Sequence, residues 1–241
     1  MNSVKTDKEV RQQYISKLGE VGGNLYWLIY KDFVVLKYEW RIFSELFRAY
    51  PERIEVMNSV SGNTASIIQN ALRERTIIKV CRLLDRAGDA RNRNATLLSL
   101  LEEVPVSCSA MELLRDAIEC SKPLKVLRNK SLAHRDILHA TSDTKIGGVS
   151  YNEIDSSVQK IGQLIQRFSE EKLNTTVITN MTTGYEDDEV HFVRVLMLGQ
   201  KALEEQRAKR REFLEDRNYK ELEALEKLPK WLLDRRFDIF G

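Results

Sequence analysis

The chain has 241 residues, 42% of them hydrophobic and 31% charged, enough for a core and typical of a soluble, helix-rich protein. Its 38 Lys+Arg nearly balance its 36 Asp+Glu, so the net charge is only +2 and any nucleic-acid surface must be local. Eleven glycines and four prolines are too few for a turn-rich all-β design, and the cysteines Cys81, Cys108 and Cys120 are too few and too scattered for a disulfide framework or zinc site. They predict a reducing cytoplasm. The N-terminus has no apolar signal core, and the apolar run from Tyr26 to Leu36 is interrupted by Lys31 and Asp32, which predicts no membrane span.

Thr6-Asp7-Lys8-Glu9 reads as a capping box that opens a first helix, which meets Gly19 and Gly22-Gly23. Tyr26, Tyr30, Phe33, Leu36, Trp40, Phe43 and Phe47 then recur at intervals of three and four. This is one buried stripe of a long helix ending near Tyr50-Pro51. Ser61-Gly62-Asn63-Thr64 marks a break before a second long helix, from about Ala65 to Arg86, with Gly88 as terminator. Its Glu74, Arg75, Arg82 and Asp85, interleaved with apolar residues, fit either a solvated face or a polar site between helices.

A short helix over Thr96 to Glu102 follows. Ser109-Ala110-Met111-Glu112 reads as a capping box for a helix to about Cys120, and Pro123 suits the first turn of the next one. That helix is expected to carry Arg128 through His134. After a polar loop from Thr141 to Gly148, Ser150-Tyr151-Asn152-Glu153 caps a helix with Ile154, Val158, Ile161, Leu164, Ile165 and Phe168 on its buried stripe.

Leu173 to Asp188 lacks helical period and reads as a linker. A charge-dense helix from Val190 to Asp216 and a shorter one from Tyr219 to Lys227, ended by Pro229, complete the chain. The expected organisation is an all-α bundle over 1–171, a linker over 172–188 and a C-terminal helical extension over 189–241.

The segment Leu127-Arg128-Asn129-Lys130-Ser131-Leu132-Ala133-His134-Arg135-Asp136 carries the chemistry. From Lys122 to His134 every charged side chain other than histidine is basic, and Lys125, Lys130 and Arg135 are candidates to bind a phosphodiester backbone. An arginine can stabilise charge on a phosphate, and a histidine can move a proton near neutral pH. Six residues along an α-helix rise about 9 Å and leave the two side chains about 120° off a shared face. One copy does not readily aim Arg128 and His134 at one phosphate, whereas two copies facing across a two-fold axis would.

Leu127-Arg128-Asn129, four residues, then His134-Arg135-Asp136 resembles the signature of the HEPN superfamily of small helical ribonucleases and RNA-binding domains: Arg, four to six residues beginning with a polar one, then His. Leu132-Ala133-His134-Arg135-Asp136, with Arg82-Leu83-Leu84-Asp85 upstream, is similar to the abortive-infection (AbiU-type) branch. The resemblance covers roughly residues 20 to 170. It implies a HEPN-like helical bundle that dimerises, with Arg128 and His134 of both copies in one cleft.

It further implies a metal-independent endoribonuclease of phage-defence or toxin type, without cofactor, in which the RNA 2′-hydroxyl attacks the adjacent phosphorus and DNA is spared. His134 would move protons, Arg128 would hold the phosphate, and Asn129 would orient phosphate or imidazole. An antitoxin or other defence-system protein is a possible partner. Members restrained by a nucleotidyltransferase carry Tyr two residues after the histidine. Asp136 stands there in this chain, which excludes modification of a tyrosine at that position. Two other readings of the same residues stay open. One is a catalytically silent HEPN module that binds RNA, nucleotide or protein. The other is a bundle in which Arg128 pairs an acid such as Asp85 and His134 is structural.

Overall fold

A computed structural model describes residues 5–89, 93–132, 148–177 and 188–225. Within them the chain is helical throughout, apart from caps, turns and one isolated bridge between Gly88 and Arg93. The elements are α1 (Asp7–Phe47), α2 (Pro51–Leu83), α3 (Leu97–Glu103), α4 (Cys108–Cys120), α5 (Lys122–Leu127), a π-helical turn (Arg128–Leu132), α6 (Tyr151–Leu173), α7 (Asp188–Glu215) and α8 (Tyr219–Leu225). The described residues therefore form the expected all-α bundle, with α7 and α8 as its C-terminal helices.

Two of these helices are interrupted where the sequence signalled a break. Gly19 sits at φ 78°, ψ 170°, a conformation that costs an L side chain a steric clash. The chain reverses there, because Arg11 reaches Asn24 (2.7 Å) and Lys31 reaches Asp7 (3.2 Å), residues that lie far apart on a straight helix. Trp27 donates its Nε1–H to Asp7 at 3.1 Å and lies beneath both Arg11 and Lys31. Gly22 and Gly23 do not break the helix. A Cβ on Gly23 would lie 2.4 Å from the Ile15 backbone, so the glycine lets the two arms of the reversal touch.

In α2 the non-helical residue is Ser61 (φ −162°, ψ 87°). The break falls where the sequence placed it, ahead of the second long helix, but a further helical stretch over 51–60 precedes it, opened at Pro51. Proline at the first helical position needs no N–H there, so it opens a helix as readily as it ends one.

The capping boxes at Thr6/Glu9 and Ser150/Glu153 form as expected, each with both reciprocal bonds. The cap of α4 is Ser107, not Ser109. Its hydroxyl accepts from the Ala110 N–H at 3.4 Å and donates to Glu171 of α6, a tertiary contact that draws the cap two residues upstream.

Three antiparallel pairs define the bundle. Asp32–Arg82 and Glu39–Arg75 register α1 against α2. Tyr26–Ser169 (2.7 Å) and Trp40–Asp155 (2.7 Å) register α1 against α6, and Ser107–Glu171 with Asp116–Lys160 register α4 against α6. The predicted stripes fill the space between: Tyr26, Phe33, Leu36, Trp40, Phe43 and Phe47 from α1 are buried, as are Ile154, Val158, Ile161, Leu164, Ile165 and Phe168 from α6. Tyr26 stacks on Phe168, and Trp40 on Phe43. On α2 only one side is covered, with Ile77, Val80, Cys81 and Leu84 buried while Ile67 and Ile78 face solvent. The start of α7 docks through an Arg41–Glu189 ion pair and Val193, and beyond it the helix is largely exposed.

Candidate functional site

The candidate site forms where α2 ends and α5 passes into the π turn. The last turn of α2 leaves carbonyl groups without intrahelical partners, which makes this end electronegative. Lys125 answers part of that demand, because its Nζ donates to the Leu84 carbonyl at 2.7 Å. Arg128 answers more, with Nη1 donating to Asp85 Oδ2 at 2.5 Å and Nε to Asn129 Oδ1 at 3.0 Å. An arginine nitrogen only donates, so Asn129 must present its oxygen here and keep its amide hydrogens for another acceptor. The carboxylate beside it raises the Arg128 pKa further, and the guanidinium stays fully charged.

Arg128 is 22% exposed, enough to reach a ligand yet sheltered enough for its charge to count. Beneath it lies Cys81, whose thiol is pushed up to about 11, first by burial, and is therefore inert as a nucleophile at neutral pH. Lys130 and Asn129 are exposed on the same turn.

The segment Arg128–Leu132 is a π turn, not the α-helix expected. Its wider i→i+5 repeat replaces the α-helical geometry over these residues, so the 9 Å spacing does not carry through them. Turns of this kind recur at functional sites because they re-aim side chains. His134, Arg135 and Asp136 lie outside the described residues. Of the six predicted site residues, the structure therefore brings together Arg128, Asn129 and Lys125 and places Lys130 on the adjoining exposed surface.

Two features were not assigned from the sequence. Asp85, one of the interleaved charges near the end of α2 and the acid that the structural reading pairs with Arg128, is absent from the predicted site residues, yet it is the group that holds Arg128. The second is a polar cluster between α1 and α2. Glu39, only 8% exposed, accepts from Arg75 (2.6 and 3.1 Å) and pairs with Lys79 at 2.7 Å. Burial pushes the Glu39 carboxyl upward, but these two cations outweigh it and hold the group below its ordinary value. With Arg82–Asp32 (2.7 Å), Arg75 and Arg82 of α2 thus form cross-helix ion pairs while staying open to solvent, and Glu74 lies on the exposed face. The spacing of Asp32 and Glu39, seven apart on α1, against Arg75 and Arg82, seven apart on α2, was the available signal.

An all-α bundle in which an acid just beyond α2 anchors an arginine of the π turn is the class of helical domain to which this site belongs. The chain belongs to the AbiU2 family of HEPN domains, whose model matches residues 23–192, more than half of its length. No curated protein and no solved structure matches it. No described helix is long and apolar enough to cross a membrane.

Proposed function

We propose that the protein is a metal-independent endoribonuclease of the abortive-infection or toxin type, active as a cytoplasmic homodimer with Arg128 and His134 of both copies at one cleft. The observation that carries this reading is the Arg128 guanidinium, fully charged, partly buried and fixed by Asp85 and Asn129, in a chain of the HEPN AbiU2 family. Such a fixed cation suits a phosphodiester, whose negative charge grows on the way to the pentacoordinate transition state. His134 takes the proton of the RNA 2′-hydroxyl as its oxygen bonds to phosphorus. The bond to the 5′-oxygen breaks, and that oxygen leaves with a proton supplied by a histidine. The products are a 2′,3′-cyclic phosphate and a 5′-hydroxyl, and DNA is spared because it lacks the nucleophile. Lys125, Lys130 and Arg135 would flank the strand, with Lys125 also holding the end of α2.

The same Arg128–Asp85 pair is what the structural reading of these residues expects, and it also suits a silent module that binds RNA, nucleotide or a protein through this face, because the acid compensates part of the charge. An RNA-cleavage assay in EDTA separates the two, run on wild type, Arg128→Ala and His134→Ala with light scattering for mass. The ribonuclease reading expects cleavage without metal, a cyclic phosphate end, a dimer, and losses of roughly a hundredfold or more in each variant. Cleavage only with added divalent metal, unimpaired variants or a micromolar monomer would refute it. Binding without cleavage selects the silent module.

A further inference from the structure

Asp85 stands just beyond α2, next to the C-cap residue Leu84. A carboxylate is unfavourable there, at the negative end of the helix dipole, and a cation would be the locally stabilising choice. Its place is explained by what it touches across the fold. Arg128 has five N–H donors in one plane, and Asp85 and Asn129 engage two of its three nitrogens. Two contacts on different nitrogens fix the plane of the guanidinium. Among the described residues no partner is seen for Nη2. A carboxylate this close to a bound phosphate also repels it, so a site built for affinity alone would omit it.

Resting on the ribonuclease reading above, we propose that Asp85 is a positioning residue that gives up RNA affinity to hold Arg128 in the one plane from which Nη2 meets a phosphodiester oxygen. Its removal therefore lowers turnover without weakening binding, which general damage to the fold does not do.

The test uses the full chain with Asp85→Asn and Asp85→Ala. It measures the Kd for a 2′-O-methyl oligonucleotide, which cannot be cleaved, and kcat on the matching RNA at fixed salt. A third arm records the Arg128 Nε–H NMR signal, identified by its loss in Arg128→Lys. Asp85→Ala should bind the oligonucleotide as tightly as wild type or up to about fivefold tighter, while kcat falls at least about tenfold. The Arg128 signal should move towards that of a free arginine. Asp85→Asn, which keeps one acceptor, should recover part of both the rate and the signal. Parallel worsening of Kd and kcat by one factor, or an Arg128 signal that ignores both substitutions, would overturn the assignment. A wild type that cleaves nothing refutes the ribonuclease reading alone. The Kd and NMR arms then still decide whether Asp85 holds Arg128 for a phosphate.

Discussion

Replacing Glu39 with leucine tests whether the cluster between α1 and α2 is held by its acid. Breaking one partner of a buried ion pair costs about 3–5 kcal/mol, because the other charge is left without compensation. Here the two cations differ. The Arg75 side chain is 61% exposed and can turn to water, whereas that of Lys79 is 13% exposed and cannot do so without moving helix α2. The cost should therefore fall near the lower end, about 3 kcal/mol, and come mainly from Lys79. For a chain of this size that lowers Tm by roughly 6–12 °C.

Glu39→Leu combined with Lys79→Met removes both charges and should recover most of the loss, since a well-packed apolar pair often matches a buried ion pair. Urea unfolding followed by far-UV circular dichroism measures both variants, and Lys79→Met alone, as a double-mutant cycle. The Glu39 contribution should be fully present above its unfolded pKa near 4.5. It should fade as the pH falls through the lower folded value, so the gap between wild type and Glu39→Leu should close in acid. A single variant that loses less than about 1 kcal/mol, or a double variant no better than the single, would refute the argument.

Gly23→Ala should be among the most damaging small substitutions, because its Cβ would meet Ile15 backbone at 2.4 Å; thermal unfolding should show a larger drop than for Gly22→Ala, whose nearest clash is the movable Val104 side chain at 2.7 Å. Gly19→Ala has open space around its Cβ but a φ of 78° with ψ 170°, a region that essentially only glycine adopts, so it should cost about 1–3 kcal/mol from backbone strain alone. Limited proteolysis should cut between Leu173 and Asp188 before it cuts the bundle, and Glu189→Ala, which removes the Arg41–Glu189 pair, should speed that cut; mass spectrometry of the fragments reads both, and a chain never cut there would argue for one continuous domain.

Local chemistry was enough to establish several features in advance. A capping box needs only four residues, so Thr6–Glu9 and Ser150–Glu153 were legible in the sequence. A seven-residue aromatic stripe can face only one way on a helix, so the α1 core was legible too, along with the breaks at Gly19 and Ser61 and the family-like Arg128–Asn129 segment. Long-range contacts decided the rest. Nothing local tells Ser107 from Ser109 as a cap until Glu171 arrives from α6. Gly19 signals a break but not a full reversal, which the Arg11–Asn24 and Asp7–Lys31 contacts define. Periodicity marked Ile67 and Ile78 as apolar without revealing that no described element covers them. Arg128 had several acids within conceivable reach, and only the packing of α5 against the end of α2 selected Asp85. The sequence names Asp85 as one acid able to pair with Arg128, and only the fold that brings residues 43 apart together forms that pair.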